Sequence, residues 1–477
     1  MNNSQLLLSI QTLSEKEKER FEQFLHSPYH NQQAKPIELW QELKHKSLEN
    51  CGSKAELFAQ IWPEESYRDQ RMRDVISQLF RLLKQFWVLE EQQKDSPRQK
   101  ILLLRQLKKR RLARSFRIEA KGLAQQLQQS PKRERRHWQH SLWLAEEEDE
   151  FFALQAVRKA DNRLQEKMHA LDRYYLIEKF QQACEMLNRQ RIVEVSYEMP
   201  LLESLIDELK KDAQSYLNEP AINIYLQVLL TLQGEADYQE LARKLIDAPS
   251  FMAEEEARAL FKYAQNHCIR QSNAGKREFL QKLFDLYQLQ LENGLLFRAG
   301  EMSHTDFKNI VTVSLRLKAF DWTQAFIEQY HQSVAEPHRA NVYRFCQANY
   351  HYEKGDLRAA LSELQGLEFT DVHYQISARV LLLKVFYRQE DQEAARYSIK
   401  AFEGFLKRNK ELPAGLRQSN LHFLTWTKRL LRLQEKKFIL NKKDFKSRHE
   451  AFMQTLTADR GLSNKSWVLE EGGELGK

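Results

Sequence analysis

Glycine and proline are scarce in this chain of 477 residues. It contains 14 glycines and 10 prolines, less than half of the ~7% and ~5% usual in proteins. All-β and α/β folds need more turn residues than this, so the low counts exclude them and favour long helices. A chain of this length also exceeds the size at which a single compact core stops growing, near ~250–300 residues. A one-dimensional stack of helices escapes that limit.

Long apolar runs and cysteine motifs are also missing. No run of 18 apolar residues occurs, which predicts that nothing spans a membrane. The first residues lack the basic start of a signal peptide, and Leu6–Leu8 is too short an apolar core for one, so we expect a cytoplasmic protein. The four cysteines lie more than 75 residues apart. That spacing favours buried, reduced thiols over a zinc site.

Motifs for catalysis are absent. No HExxH, GxSxG or GxGxxG pattern occurs, and Gly275-Lys276 lacks the earlier glycine of a phosphate loop because Arg270 stands there. His137 and His140 could share one side of a helix, but they have no nearby carboxylate ligands and lie among arginines. The sequence therefore predicts no enzyme activity, no catalytic residue, no cofactor and no metal site.

Three sets of residues repeat at a step of 35 positions. A fixed period of this size is typical of stacked helix pairs, in which each pair buries its apolar face against its neighbours. The three sets are Asp321, Asp356 and Asp391; Ala325, Ala360 and Ala395; and Leu317, Tyr352 and Tyr387.

The segment from Tyr352 to Leu361 resembles the tetratricopeptide repeat family, and its neighbours one step away resemble it more loosely. In that family a small residue in the second helix lets the two helices approach closely. Ala325, Ala360 and Ala395 match that position, so the resemblance implies that they are buried between paired helices. First helices of the family line a concave surface that binds other proteins. Some members of the family bind the C-terminal carboxylate of a peptide with a Lys and an Asn. Asn349 matches the Asn, but Phe345 stands where the Lys is required, so the resemblance does not imply that ligand for this chain. By repeat position we expect this partner-binding surface to include Asn341, Arg344, Phe345, Asn349, Ser377, Arg379 and Lys384.

The N-terminal segment is organised differently. Capping boxes at Ser14 and Ser53, each followed three residues later by Glu, predict two helix starts. Apolar spacing predicts four helices in all over residues 5–93. Two short strings, residues 24–29 and 171–176, resemble a type of uncharacterised bacterial helical protein, and that resemblance implies no activity.

Positive charge is concentrated in residues 97–140, which hold fourteen Lys and Arg against two Glu, whereas the whole chain carries +8. Two basic clusters stand at opposite ends of one predicted helix, and an acidic run, Glu146–Glu150, follows. The second cluster opens a helix, where the dipole disfavours cations. Either the acidic run or an anionic partner could offset this unfavourable interaction of the second cluster with the helix dipole. The candidate anion-binding residues are Lys108, Lys109, Arg110, Arg111 and Arg114 in the first cluster, and Lys132, Arg133, Arg135 and Arg136 in the second.

These observations predict an all-α protein with an N-terminal helical bundle followed by an α-solenoid of tetratricopeptide-like helix pairs. The expected domains are residues 1–95, a four-helix domain; residues 96–435, the repeats; and residues 436–477, a basic helix and flexible tail. The expected function is that of a non-enzymatic scaffold that binds another protein. The alternative is association with nucleic acid through residues 97–140.

Overall fold

The computed structural model confirms the all-α class. Apart from one short antiparallel hairpin, the regular elements of its described residues are helices. Within that part of the chain no helix has the length and apolar character needed to cross a membrane. All four cysteines are buried, as expected. The structure describes residues 5–47, 50–154, 162–193, 195–211, 214–367, 371–409, 412–459 and 461–476.

The chain divides into two compact units, residues 1–182 with 200–223, and residues 183–199 with 224–477. In the first unit both predicted capping boxes are present, at Ser14 and at Ser53. Residues 5–94 form five helices rather than the predicted four, because Leu6, Leu7 and Ile10 also bury one face of a short helix in the same core. These helices are α1 (Gln5–Gln11), α2 (Glu15–His26), α3 (Ala34–Leu43), α4 (Lys54–Ile61) and α5 (Asp69–Lys94).

The basic segment of the first unit folds into three helices that pack against one another. Their shared core contains Ile101, Leu104, Phe116, Leu123 and Leu144. The helices are α6 (Ser96–Lys109), α7 (Ala113–Gln129) and α8 (Arg135–Ala153). The chain continues with α9 (Arg163–Val193), α10 (Leu202–Lys211), α11 (Gln214–Leu217) and α12 (Pro220–Gln233).

In the second unit, helices pack mainly against their neighbours in the chain. Its elements are α13 (Tyr238–Phe251), α14 (Glu254–Asn273), α15 (Glu278–Glu292), β1 (Phe297–Arg298), β2 (Glu301–Met302), α16 (His304–Arg316), α17 (Phe320–Tyr330), a 3-10 turn (His331–Ser333), α18 (Glu336–Lys354), α19 (Leu357–Leu364), α20 (Val372–Arg388), α21 (Gln392–Arg408), α22 (Ala414–Ile439), α23 (Lys442–Ala458) and α24 (Lys465–Leu475). Strand β1 pairs with β2, Phe297 opposite Met302.

The first helices of three successive pairs, α16, α18 and α20, end in the same way. Each is followed by a residue in the left-handed conformation, Lys318, Gly355 or Glu390. The backbone N–H of that residue donates to the carbonyl three residues earlier, and the next backbone N–H donates to the carbonyl five residues earlier. This is the Schellman motif, which satisfies the last free carbonyl groups of a helix. The shared motif gives these three helix pairs a common register.

That register corrects one of the predicted matches. From Gly355 to Glu390 the step is 35 residues, but from Lys318 to Gly355 it is 37. Ala360 and Ala395 are fully buried, as predicted, whereas Ala325 is exposed. The buried small residue of α17 is Thr323, whose hydroxyl donates to the Ala319 carbonyl at 2.7 Å. The prediction for Ala325 was wrong because the spacing of identical residues concealed a two-residue insertion.

Glu390→Gly is expected to stabilise the protein by about 0.5–1 kcal/mol. A side chain in the left-handed region costs about 1–2 kcal/mol, and glycine relieves that cost at the expense of some entropy in the unfolded chain. Chemical denaturation measures the difference. Gly355→Ala, at the matching position where φ is 89°, should shift stability in the opposite direction. A loss of stability in Glu390→Gly would contradict the assignment of this motif.

Candidate functional site

The last helix, α24, contacts four earlier helices of the same unit: α18, α20, α22 and α23. Its anchor is Trp467, which is only 5% exposed. The indole N–H of Trp467 donates to the Tyr352 hydroxyl at 2.8 Å. Its ring meets those of Tyr387 and Phe423 edge to face, with centroids 5.3 and 5.9 Å away. Such aromatic contacts add to the stability gained by burying the ring.

Charged groups surround this anchor. Arg388 donates to the Glu471 carboxylate at 2.6 Å, and its guanidinium lies 4.4 Å from the centre of the Tyr352 ring. The Lys384 ammonium donates to the Asn464 side-chain carbonyl at 3.2 Å and lies 5.6 Å from the centre of the Trp467 ring. The buried Trp467 side chain and the Arg388–Glu471 ion pair, one helical turn apart, therefore hold α24 in place. We call the residues that receive it the α24-binding face: Tyr352, Lys384, Tyr387, Arg388 and Phe423.

The environment of Lys384 is unusual for a lysine. Burial lowers the pKa of its ammonium group to about 8, and the carboxylates of Glu353 and Glu471 offset only part of that effect. Part of the side chain still reaches solvent. Lys384 is thus mainly protonated at neutral pH, and its positive charge is kept close to the acidic residues around α24.

Of the predicted partner-binding residues, Lys384 lies on the α24-binding face and Arg379 does not. The Arg379 guanidinium stacks 4.1 Å from the centre of the Phe405 ring. Ser377 donates its hydroxyl to the His373 carbonyl of its own helix at 2.8 Å.

The four predicted residues on α18 have other surroundings. Arg344 pairs with Glu363 of α19 at 3.2 Å, so it joins the two helices of one pair. Phe345 is buried and packs near Tyr374, and Asn349 donates to the Phe345 carbonyl at 2.9 Å. Asn341 is partly exposed. These contacts describe each residue separately, and a shared partner-binding surface with Lys384 stays a prediction.

Three residues that sequence reasoning missed, Arg388, Trp467 and Glu471, make the main contacts of α24. Arg388 directly follows the repeated Tyr387, so the repeat pattern pointed to its neighbour. Trp467 and Glu471 lie 115 and 83 residues from their partners. No local pattern reports a contact across such a distance.

In the first basic cluster, Lys108 is tied to the acidic run. Its ammonium donates to Glu147 at 2.6 Å and also to Glu150. Arg105 donates to the same Glu147 carboxylate at 2.6 Å. Burial lowers the pKa of Lys108, but its hydrogen bonds to Glu147 and Glu150, with the attraction of the two carboxylates, outweigh burial and raise the pKa above its ordinary value. The remaining residues of this cluster, Lys109, Arg110, Arg111 and Arg114, are exposed.

The second cluster divides between local partners and a cavity. Arg135 pairs with Glu178 at 3.2 Å. Arg133 donates to the carbonyl of Gln128, at the end of α7, at 3.1 Å. The other two residues, Lys132 and Arg136, line a cavity of about 560 Å3 formed by α6, α7 and α8.

Both histidines of the predicted pair line this cavity as well. Each is 7% exposed. Arg133 contacts His137 Nε2 at 3.2 Å, and His140 Nε2 lies 3.3 Å from the carboxylate of Asp95. Burial, reinforced by Arg133, lowers the pKa of His137 to about 4. Burial also lowers the pKa of His140, against the attraction of Asp95. Both rings are therefore neutral at physiological pH.

This arrangement predicts a loss of stability in acid. The unfolded chain protonates His137 near its ordinary pKa of 6.5, whereas the folded chain does so only near 4. Stability is thus fully present above pH 6.5 and falls as the pH drops through 4, by about 3 kcal/mol for the whole shift. Urea denaturation of wild type and His137→Gln across this range measures it. The variant should show a flatter pH profile, and parallel profiles would contradict the argument.

Among the described residues, no group of three or more His, Cys, Asp or Glu side chains is placed to hold a metal ion. No family model, curated protein or solved structure matches this chain. The contacts described above are therefore the basis for assigning a function.

Proposed function

We propose that the chain is a non-enzymatic helical-repeat scaffold that mediates protein–protein interaction, and that the α24-binding face receives a helical segment of its partner. The observation that carries this proposal is the packing of α24 on this face, with Trp467 packed against aromatic rings and Glu471 paired with Arg388. Helix-in-groove recognition in proteins uses the same elements: a buried aromatic anchor and a charged pair that fixes the orientation.

The spacing on α24 defines the chemistry of the partner. Trp467 and Glu471 are four residues apart, so they stand on one side of the helix, one turn from each other. A competing helix would present an aromatic residue and, one turn later, an acidic residue. Lys384 and Arg388 favour that acidic residue over a basic one, because like charges at a half-buried site repel.

The nucleic-acid alternative has weaker support. A polymer is bound by positive charge along a continuous track. In the basic segment, Lys108 is engaged by Glu147 and Glu150, and Arg135 is engaged by Glu178. These pairs reduce the charge that either cluster can offer to a phosphate backbone.

Affinity capture from nuclease-treated cell extract tests the proposal. A partner that docks on the α24-binding face should be captured by wild type, released by excess peptide of residues 463–476, and lost in Arg388→Glu. The matched control is Arg396→Glu, which makes the same charge change in α21, where Arg396 pairs with Glu435. If excess peptide does not release the captured protein, the partner binds elsewhere on the chain. If both variants lose the captured protein equally, charge alone retains it. Either result would contradict the proposal.

A further inference from the structure

The cavity formed by α6, α7 and α8 has the size and lining of a site for a small polar ligand. Its volume of about 560 Å3 falls within the ~300–1,000 Å3 of small-molecule sites. Lys132 and Arg136 supply positive charge at its wall, and Gln125, Gln126 and Gln129 supply amide groups. Amides both donate and accept hydrogen bonds, so they suit the hydroxyl groups of a ligand.

The position of the cations also indicates an anion. Lys132 and Arg136 flank the start of α8, where the helix dipole already provides positive potential. Arg133 and Arg135 have neutral or acidic neighbours in Gln128 and Glu178. Arg136 is exposed and makes no ion pair with any residue that the structure describes. An anion in the cavity would satisfy Arg136 and the helix start together.

Other groups in the wall limit what this anion can be. The Glu134 side chain is buried and also lines the cavity, so a ligand that is negative throughout would be repelled. His137 and His140 are neutral near pH 7 and act as hydrogen-bonding groups only. The lining therefore suits a molecule with one anionic group and a body rich in hydroxyl or amino donors.

We propose that this cavity binds a small molecule that carries a phosphate group, with Lys132 and Arg136 at the phosphate oxygens and with Glu134 and the glutamine amides at the polar body. Phosphate fits this role because it accepts several charge-assisted hydrogen bonds at once from lysine and arginine. The proposal concerns the first unit alone and does not depend on the function of the α24-binding face.

Isothermal titration of the full chain with inorganic phosphate, ribose 5-phosphate and adenosine monophosphate tests the proposal. Two variants change the cavity. Lys132→Gln/Arg136→Gln removes its charge. Gly122→Leu places an apolar side chain at the cavity wall, where a Cβ added at Gly122 meets no heavy atom within 4 Å. The matched control, Lys109→Gln/Arg110→Gln, removes the same charge from exposed positions at the other end of α7.

Ribose 5-phosphate or adenosine monophosphate should bind wild type and the control equally. Binding should weaken about tenfold or more in both cavity variants, as expected when charge-assisted contacts or the space itself are lost. The melting temperature of Gly122→Leu should not fall, because leucine is the better helix former. Three results would overturn the proposal: no binding of any phosphate compound at millimolar concentration, equal weakening in cavity and control variants, or tight binding of single-stranded RNA without binding of the small phosphates.

Discussion

Trp467→Ala is expected to destabilise the second unit by about 3–5 kcal/mol, the usual cost of removing a fully packed tryptophan side chain. The substitution removes the edge-to-face contacts with Tyr387 and Phe423 and leaves the Tyr352 hydroxyl without its donor. Chemical denaturation followed by circular dichroism measures the change.

The control for this prediction is Trp467→Phe. Phenylalanine keeps an aromatic ring in the site but cannot donate to Tyr352, so the expected cost is only about 1–2 kcal/mol. If Trp467→Ala changes stability by no more than an exposed substitution does, then α24 does not rest on the α24-binding face in solution.

Glu147→Ala is expected to cost about 3 kcal/mol, because breaking a buried ion pair leaves its partner uncompensated. The Glu147 side chain is 6% exposed and serves both Arg105 and Lys108, and the Lys108 side chain is itself only 13% exposed. The measurement is again the free energy of unfolding, here for the transition of the first unit.

Glu150→Ala provides a matched comparison, since it removes another carboxylate from the same Lys108. The Glu150 side chain is 65% exposed, and exposed pairs contribute about 0–1 kcal/mol. Equal effects of the two substitutions would show that burial of Glu147 does not govern the strength of this cluster.

Local patterns in the sequence predicted much of the fold. The capping boxes at Ser14 and Ser53 and the burial of Ala360 and Ala395 are confirmed, because hydrogen bonds and packing within a few residues decide them. Ala325 was mispredicted because identical residues were aligned without the backbone conformation that sets the register. A left-handed residue such as Lys318 has no distinctive identity, so a count of residue types does not reveal it.

The candidate sites depended on contacts that the sequence does not encode locally. Glu147 meets Lys108 across 39 residues, so the acidic run alone did not reveal that it compensates the first basic cluster. The cavity beside α8 requires three helix ends to converge around Arg136 and His137. The order of residues in one helix cannot predict that arrangement.

The most direct test of the proposed function is whether the α24-binding face accepts a helix in trans. A fluorescein-labelled peptide of residues 463–476 can be titrated by anisotropy with wild type and with Trp467→Ala, in which the chain's own α24 is loosened. The tethered helix of wild type competes at an effective concentration in the millimolar range. We therefore expect the peptide to bind the variant at least about tenfold more tightly than wild type. A peptide that itself carries Trp467→Ala should not bind. Equal binding to both proteins, or binding of the altered peptide, would contradict the account.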